Sequence, residues 1–173
     1  MLKLVKYAQK GDDQAFLKLF QEYEQDLYRM AFLYVKNESD ALDVVQEAAY
    51  RSFKSIKNLR EPKYFKTWLI RIAINCSLDL LRKREKIVQL KAEDKENLLK
   101  SEDEDIELGV TLQDLMEILD EKEKSVVLLR FYEGLTFKEV SNTLNIPLGT
   151  SKTILYRALE KLRSGVKEAD LYE

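Results

Sequence analysis

The sequence predicts an all-α protein of two small helical domains joined by a flexible acidic linker. Three observations lead there. Only 5 Gly and 2 Pro occur in 173 residues, too few for the many tight turns of an all-β fold. Apolar residues recur at three- and four-residue steps along the chain, the period of helices with one buried face. The charge also changes sign midway: residues 51–86 hold 11 Lys/Arg against 3 Asp/Glu, whereas 87–114 hold 3 against 9. An asymmetry that sharp under a net charge of only -2 separates two functional regions.

Composition closes off several classes. Hydrophobic content of 45% supports real cores, and 35% charged residues mark a soluble surface. No run of about 18 apolar residues is present, so no membrane insertion is expected. The start, M-L-K-L-V-K-Y-A-Q-K-G, has lysines where a signal peptide needs an apolar core. A cytoplasmic location is therefore expected. Cys76 is the sole cysteine and histidine is absent, which excludes an internal disulfide, Cys/His zinc sites and His-based catalysis. No catalytic residue, metal or cofactor is expected.

Taken in order, Leu2 to Gln9 reads as a short helix ended at Gly11. Asp12 or Asp13 can cap a longer one to about Lys36, with Phe16, Leu19, Phe20, Leu27, Met30 and Ala31 as its apolar stripe. Ser39 is placed to cap the next helix, Asp40 to about Ile56, with Leu42, Val45, Ala49, Phe53 and Ile56 inward. Its outer side would carry Asp40, Asp43, Glu47, Tyr50, Arg51 and Lys54. Pro62 suits the first turn of a helix to about Arg84, whose Phe65, Trp68, Leu69, Ile72, Ala73, Cys76 and Leu80 make a buried stripe. Arg71, Asn75, Leu78 and Arg82 follow a different side, and Lys63-Tyr64-Phe65-Lys66 interleaves cations with rings. That composition suits unpaired bases, with cations for phosphate and rings for stacking. It equally suits an aromatic core under a cationic coat.

Residues 87–109 lack aromatics and carry most of the acidic excess. So little apolar surface cannot offset ordering entropy, and a flexible linker is expected, either a solubilising tether or a nucleic-acid mimic. Thr111 can cap a helix to Leu119, and Asp120 begins another that ends at Gly134. Thr136 and Glu139 form a capping box for a short helix, with Val140 and Leu144 on one side. Asn145-Ile146-Pro147 stops it, and Gly149-Thr150 opens a last helix to about Gly165. At about 100° per residue, Ser151, Leu155, Ala158, Leu159, Leu162 and Val166 share an inward arc, opposite Lys152, Thr153, Tyr156, Arg157 and Glu160. This is either a helix-turn-helix that fits a DNA major groove or a plain helical hairpin with a solvated face.

Four blocks resemble, in order, the bacterial RNA polymerase sigma factors of the extracytoplasmic-function (ECF) group in the sigma-70 family. I-P-L-G-T-S-K-T-I-L-Y-R-A-L resembles their I-P-x-G-T-V-[KR]-S-R-x-x-R-A-[RL] segment, and D-A-L-D-V-V-Q-E their D-A-E-D-[LVI]-[VA]-Q-E signature. F-K-T-W-L-I-R-I-A-I-N-C-S-L-D-L-L-R-K-R matches the F-x-x-W-L-x-R-I-A-x-N-x-x-x-D-x-x-R block, and the segment from Leu119 to Val140 resembles the start of the second family domain. Leu42 stands where an acidic residue is usual, and Leu119-Asp120 where Leu-Pro is usual.

The resemblance implies domains at 6–86 and 111–170 with a linker at 87–110. It implies no enzymatic activity: a chain that binds core RNA polymerase and directs initiation at −10/−35 promoters. Core-binding residues would be Asp40, Asp43, Gln46, Glu47 and Arg51. Asn58, Arg60, Lys63, Tyr64, Lys66, Arg71, Asn75 and Arg82 would hold and melt −10 DNA. Lys152, Thr153 and Tyr156 would read −35 base edges, with Arg157 on phosphate. Family recognition helices carry arginines where this one has Ile154 and Leu159, so isolated −35 binding should be weak. A membrane-anchored anti-sigma factor is the implied regulator. The other classes are a stand-alone helix-turn-helix regulator with a helical dimerisation or ligand domain, and a helical adaptor making only protein contacts.

Overall fold

A computed structural model describes residues 1–94 and 116–169 of the chain, with side chains described to Ile87 and again from Met116 to Val166. Among the described residues there is no strand, as the sequence predicts. The helices are α1 (Leu2–Gln9), α2 (Asp13–Val35), α3 (Glu38–Ser55), α4 (Phe65–Asp94), α5 (Glu121–Val127), α6 (Phe137–Leu144) and α7 (Leu148–Ala169). Two compact units are present, and their principal boundary falls at Leu80–Leu81, inside α4.

In the first unit, α2 and α3 pack side by side and α1 lies on α2. Asp12 caps α2 by accepting the Ala15 amide at 2.9 Å, one of the two caps the sequence offered. The core gathers Leu19, Leu27, Met30, Val44, Ile56, Phe65, Leu69, Ile70 and Ile74. Rings join it, Phe16 meeting Phe53 edge-on at 5.1 Å between centroids and Phe65 lying between Tyr23 and Trp68. Cys76 is buried there, and desolvation pushes its thiol up to about 11 against a smaller lowering by Arg51. It is an inert core thiol at neutral pH.

Three sequence expectations for this unit change. The cap of α3 is Asn37, whose Oδ1 accepts the Asp40 amide at 2.8 Å, and Ser39 is already inside the helix. The buried stripe of α3 is Ala41, Val44, Val45, Ala48 and Ser52, so Leu42 faces outward and Phe53 is left partly exposed at the edge of the core against Phe16. Small residues let α3 approach α2 closely, which large apolar side chains at the same positions would prevent. Helix α4 runs to Asp94, ten residues past the expected end at Arg84 and into the predicted linker. The sequence E-K-I-V-Q-L-K-A-E-D contains no Gly or Pro and is rich in strong helix formers, so charge alone was a poor guide to order. The rest of the predicted linker, and the helix expected from Thr111, lie largely outside the described residues.

Between α3 and α4 the loop is bracketed by two short 3-10 turns, Ile56–Asn58 and Pro62–Tyr64. Ile56 and Leu59 are buried while Asn58, Arg60 and Lys63 are exposed.

Within the second unit, α5 opens with a reciprocal capping box. Asp120 Oδ1 accepts the Glu123 amide at 2.8 Å and Glu123 Oε2 accepts the Asp120 amide at 3.0 Å. Helix α5 loosens into a π-helical turn at Leu128–Tyr132 and stops before Gly134, which takes φ +66 as the expected left-handed terminator. Thr136 and Glu139 then make the predicted box. These bonds to Thr136 hold the Glu139 carboxyl below its ordinary range. Helix α6 ends through Asn145 in the left-handed region at φ 54, with the Ile146 amide donating to the Ser141 carbonyl at 3.1 Å. This is the Schellman ending, and Asn145 supplies the stop two residues before Pro147.

Candidate nucleic-acid and partner interfaces

Three surfaces carry the predicted residues. The first is the outer face of α3. Asp43, Gln46, Glu47 and Arg51 are exposed there, together with Leu42 and Tyr50. Arg51 spans two helices, donating to Glu47 Oε1 at 2.6 Å and to Asp79 Oδ2 on α4 at 2.8 Å. These two carboxylates raise its pKa further above an already high value. Asp40 does not belong to this face. It is only 6% exposed and accepts from Asn37 Nδ2, which makes it part of the α3 cap. The expectation that Asp40 points outward is therefore corrected. Three residues into the helix, its carboxylate turns back to the N-terminus, where unpaired amides and the helix dipole favour negative charge.

The second surface runs from the inter-helix loop along α4. Asn58, Arg60, Lys63, Arg71, Asn75 and Arg82 are exposed. The Lys63 ammonium sits 4.9 Å from the centroid of the exposed Tyr64 ring, a cation held over a face on which a base can stack. Lys66 is half-buried, 3.6 Å from Asp26 and 5.8 Å from the Tyr23 ring centroid. It is therefore already engaged within the unit.

The third surface is α7. Tyr156 is 65% exposed and is flanked by exposed Lys152 and Thr153. The Lys152 ammonium lies 5.8 Å from the Phe137 ring centroid, and Thr153 Oγ1 donates back to the Gly149 carbonyl at 3.1 Å. The buried arc is rotated from the predicted one. Ile154 is buried with Ser151, Leu155 and Ala158, whereas Leu159 and Val166 are exposed. Ile154, where the resembling recognition helices carry an arginine, therefore fills the core in this chain.

The rotation gives Arg157 a second task. Its Nε donates to Glu123 Oε1 at 2.6 Å, and its Nη2 lies 3.4 Å from Asp120 Oδ2. Lys161 Nζ donates to Glu123 Oε2 at 2.7 Å. The Glu123 side chain has 0% exposure. Burial by itself would raise its pKa, but the bonds from Lys161, the Asp120 amide and Arg157 outweigh burial and hold it below the ordinary value. The carboxylate thus ties the start of α5 to one flank of α7. Periodicity along the chain could not disclose this tie, because its partners lie 34 and 38 residues apart.

Residues 19–87 match the family model described as Sigma-70 region 2, and residues 115–164 match Sigma-70, region 4. Over 150 residues the chain is 37% identical to RNA polymerase sigma factor SigV of Bacillus subtilis, covering 87% of this chain and 90% of that one. This chain belongs to the ECF sigma factors of the sigma-70 family. The sigma factor is also 32% identical to the ECF RNA polymerase sigma factor SigW of the same organism, over 96% of both chains. Two solved structures share its fold. One is CnrH in complex with the cytosolic domain of CnrY (TM-score 0.71, 21% identity, 96% of this chain and 97% of that one). The other is the sigma factor RpoE bound to the anti-sigma factor NepR from Bartonella quintana (TM-score 0.70, 19% identity, 88% and 96%).

As an ECF sigma factor the protein is a promoter-specificity subunit of RNA polymerase, and the stand-alone regulator gives way to this reading. Among the described residues no helix is long and apolar enough to cross a membrane, and no cluster of His, Cys, Asp and Glu suits a metal.

Proposed function

We propose that the three surfaces divide the work of initiation, within domains that follow the boundaries 6–86 and 111–170. The α3 face docks core polymerase through Asp43, Gln46 and Glu47, with Arg51 orienting Glu47 instead of reaching the partner. The loop and α4 hold melted −10 DNA, with Asn58, Arg60 and Lys63 at the loop, Tyr64 as a stacking ring, and Arg71, Asn75 and Arg82 along the helix. Lys66 supports Tyr23 and Asp26 and steers the strand electrostatically. Helix α7 enters the −35 major groove, where Lys152, Thr153 and Tyr156 reach base edges. Arg157 acts first as a strut to Glu123 and only secondarily as a phosphate contact.

The chain performs no chemistry of its own in this scheme; nucleotide addition belongs to polymerase. Its work is cytoplasmic, where core polymerase and promoter DNA are found. Two weak sites on one particle become strong through effective concentration. An anti-sigma factor controls access to the surfaces, a reading supported by the structural neighbour RpoE, which is bound to the anti-sigma factor NepR. A membrane-anchored form of that partner follows from the family resemblance.

The observation that carries the proposal is that both sigma-70 regions match in order while nearly all the assigned side chains stay exposed. Footprinting of the reconstituted holoenzyme on a responsive promoter tests it. Protection at −35 together with permanganate-reactive thymines near −10 is expected. Protection without strand opening would remove the melting role from the first domain.

A further inference from the structure

Helix α1 lies outside both matched family regions, which begin at residue 19. Yet one of its side chains reaches the loop assigned above to the −10 DNA. Gln9 Nε2 donates to the Leu59 carbonyl at 2.7 Å and to the Ile56 carbonyl at 3.2 Å, across 50 and 47 residues of sequence. Both partners are acceptors only, so the amide nitrogen must face them, and its two N–H groups can serve one carbonyl each.

We infer that Gln9 is a positioning residue for the −10 loop, acting from outside the family region to hold it in its base-receiving shape. The inference rests on the −10 assignment proposed above. Ile56 and Leu59 pin the loop through their buried side chains, and Gln9 pins the carbonyls of the same two residues. With side chain and backbone both fixed at these anchors, the intervening Asn58 and the following Arg60 have no inward option. They are presented to solvent beside Lys63 and Tyr64. A loop ordered before the base arrives does not spend binding energy on its own ordering. Losing the amide would release the Leu59 carbonyl and leave the Ile56 carbonyl held by the Leu59 amide alone at 3.1 Å, and more of the loop's ordering would fall to the base itself. Selectivity between a correct and an incorrect base should then fall more than total binding does.

The test is run-off transcription by the full-length chain with core polymerase, on one promoter and on a set with single substitutions in its −10 element. A matched set carries substitutions in the −35 element. Gln9→Met keeps the length and packing but removes both donors, while Gln9→Lys restores a donor at similar reach. Gln9→Met is expected to lower −10 discrimination several-fold, with −35 discrimination and core affinity unchanged and Gln9→Lys recovering most of the loss. Asn58→Ala and Tyr64→Ala serve as controls for the loop itself. If they lower discrimination and Gln9→Met does not, the inference is wrong while the −10 assignment stands. If none of the three changes it, the −10 assignment fails and the inference falls with it. An equal loss on every template would reduce Gln9 to a folding role and overturn the inference.

Discussion

Each unit contains an ionic cluster built about one shared charge, and the two centres are of opposite sign. In the first, a cation lies between two acids: Arg51 joins Glu47 and Asp79, and all three are roughly half exposed. In the second, an acid lies between two cations: Glu123 joins Arg157 and Lys161, and its own side chain sees no solvent. The burial of the central charge sets their consequences apart. Exposed pairs contribute about 0–1 kcal/mol and can be broken by a partner that competes for them. A buried carboxylate stripped of its cations keeps its desolvation cost and loses the compensation. The cluster on α3 therefore suits a docking face, where Glu47 must be free to change partners. The cluster at α5 and α7 suits a strut that fixes the angle of a recognition helix.

The largest expected effect sharpens that contrast. Replacing Arg157 and Lys161 together by Ala should cost about 3–5 kcal/mol of stability in the second unit. Denaturant unfolding followed by far-UV circular dichroism will read it. Trp68, the sole tryptophan, belongs to the first unit, so its fluorescence transition should stay in place. Acid separates the cases further. The wild-type Glu123 pKa is lowered, so its contribution is complete above the ordinary glutamate value of about 4.3 and is lost as pH falls through the folded value. In the double variant only the Asp120 amide still opposes burial, so that pKa should rise above its wild-type position. Acidification should therefore relieve the defect in the variant, and a defect that grew with acid would count against a buried, charged Glu123.

Next come the two working faces. Asp43→Lys with Glu47→Lys should weaken core polymerase association by roughly tenfold or more, about 1.4 kcal/mol, with both unfolding transitions unchanged. Retained pull-down of core enzyme would remove α3 from the interface. Tyr156→Ala should weaken −35 recognition by about 1–3 kcal/mol per lost base contact and leave polymerase binding intact. An unaltered −35 preference would take Tyr156 off the base edges. The smallest effect belongs to Arg51→Ala, which should change stability by no more than about 1 kcal/mol, measured by Trp68 fluorescence. A loss several times larger would erase the distinction between the clusters.

Much of this was legible from residues along the chain. The Thr136–Glu139 box, the Gly134 terminator and the exposed Lys152, Thr153 and Tyr156 all follow from local periodicity and capping. The α4 stripe was legible only in part: Phe65, Leu69, Ala73 and Cys76 are buried, Trp68, Ile72 and Leu80 are half-buried, and Ile70, Ile74 and Ser77 are buried beside them. The error in α3 arises because periodicity counts large apolar residues. Helix α3 instead buries Ala41, Ala48 and Ser52 against α2 and leaves Leu42 outside. In α7 the expected arc was rotated by part of a turn, which placed Leu159 inward and left out Ile154. Asp40 was read as a surface acid because its motif was acidic, although a carboxylate three residues into a helix can serve the cap. The Asp120–Glu123 box follows the same spacing rule as Thr136–Glu139. Its link to Arg157 and Lys161, like that of Gln9 to Leu59, is tertiary and has no local signature.

The central claim is that this chain gives core polymerase its promoter address through surfaces that are weak singly and effective together. Run-off transcription with purified core polymerase on a random fragment library, with and without the chain, tests it most directly. Discrete start sites that appear only with the chain, preceded by common −10 and −35 sequences and lost with Asp43→Lys/Glu47→Lys, are the predicted result. Tight, palindrome-specific DNA binding by the free chain with no effect on polymerase start sites would contradict it.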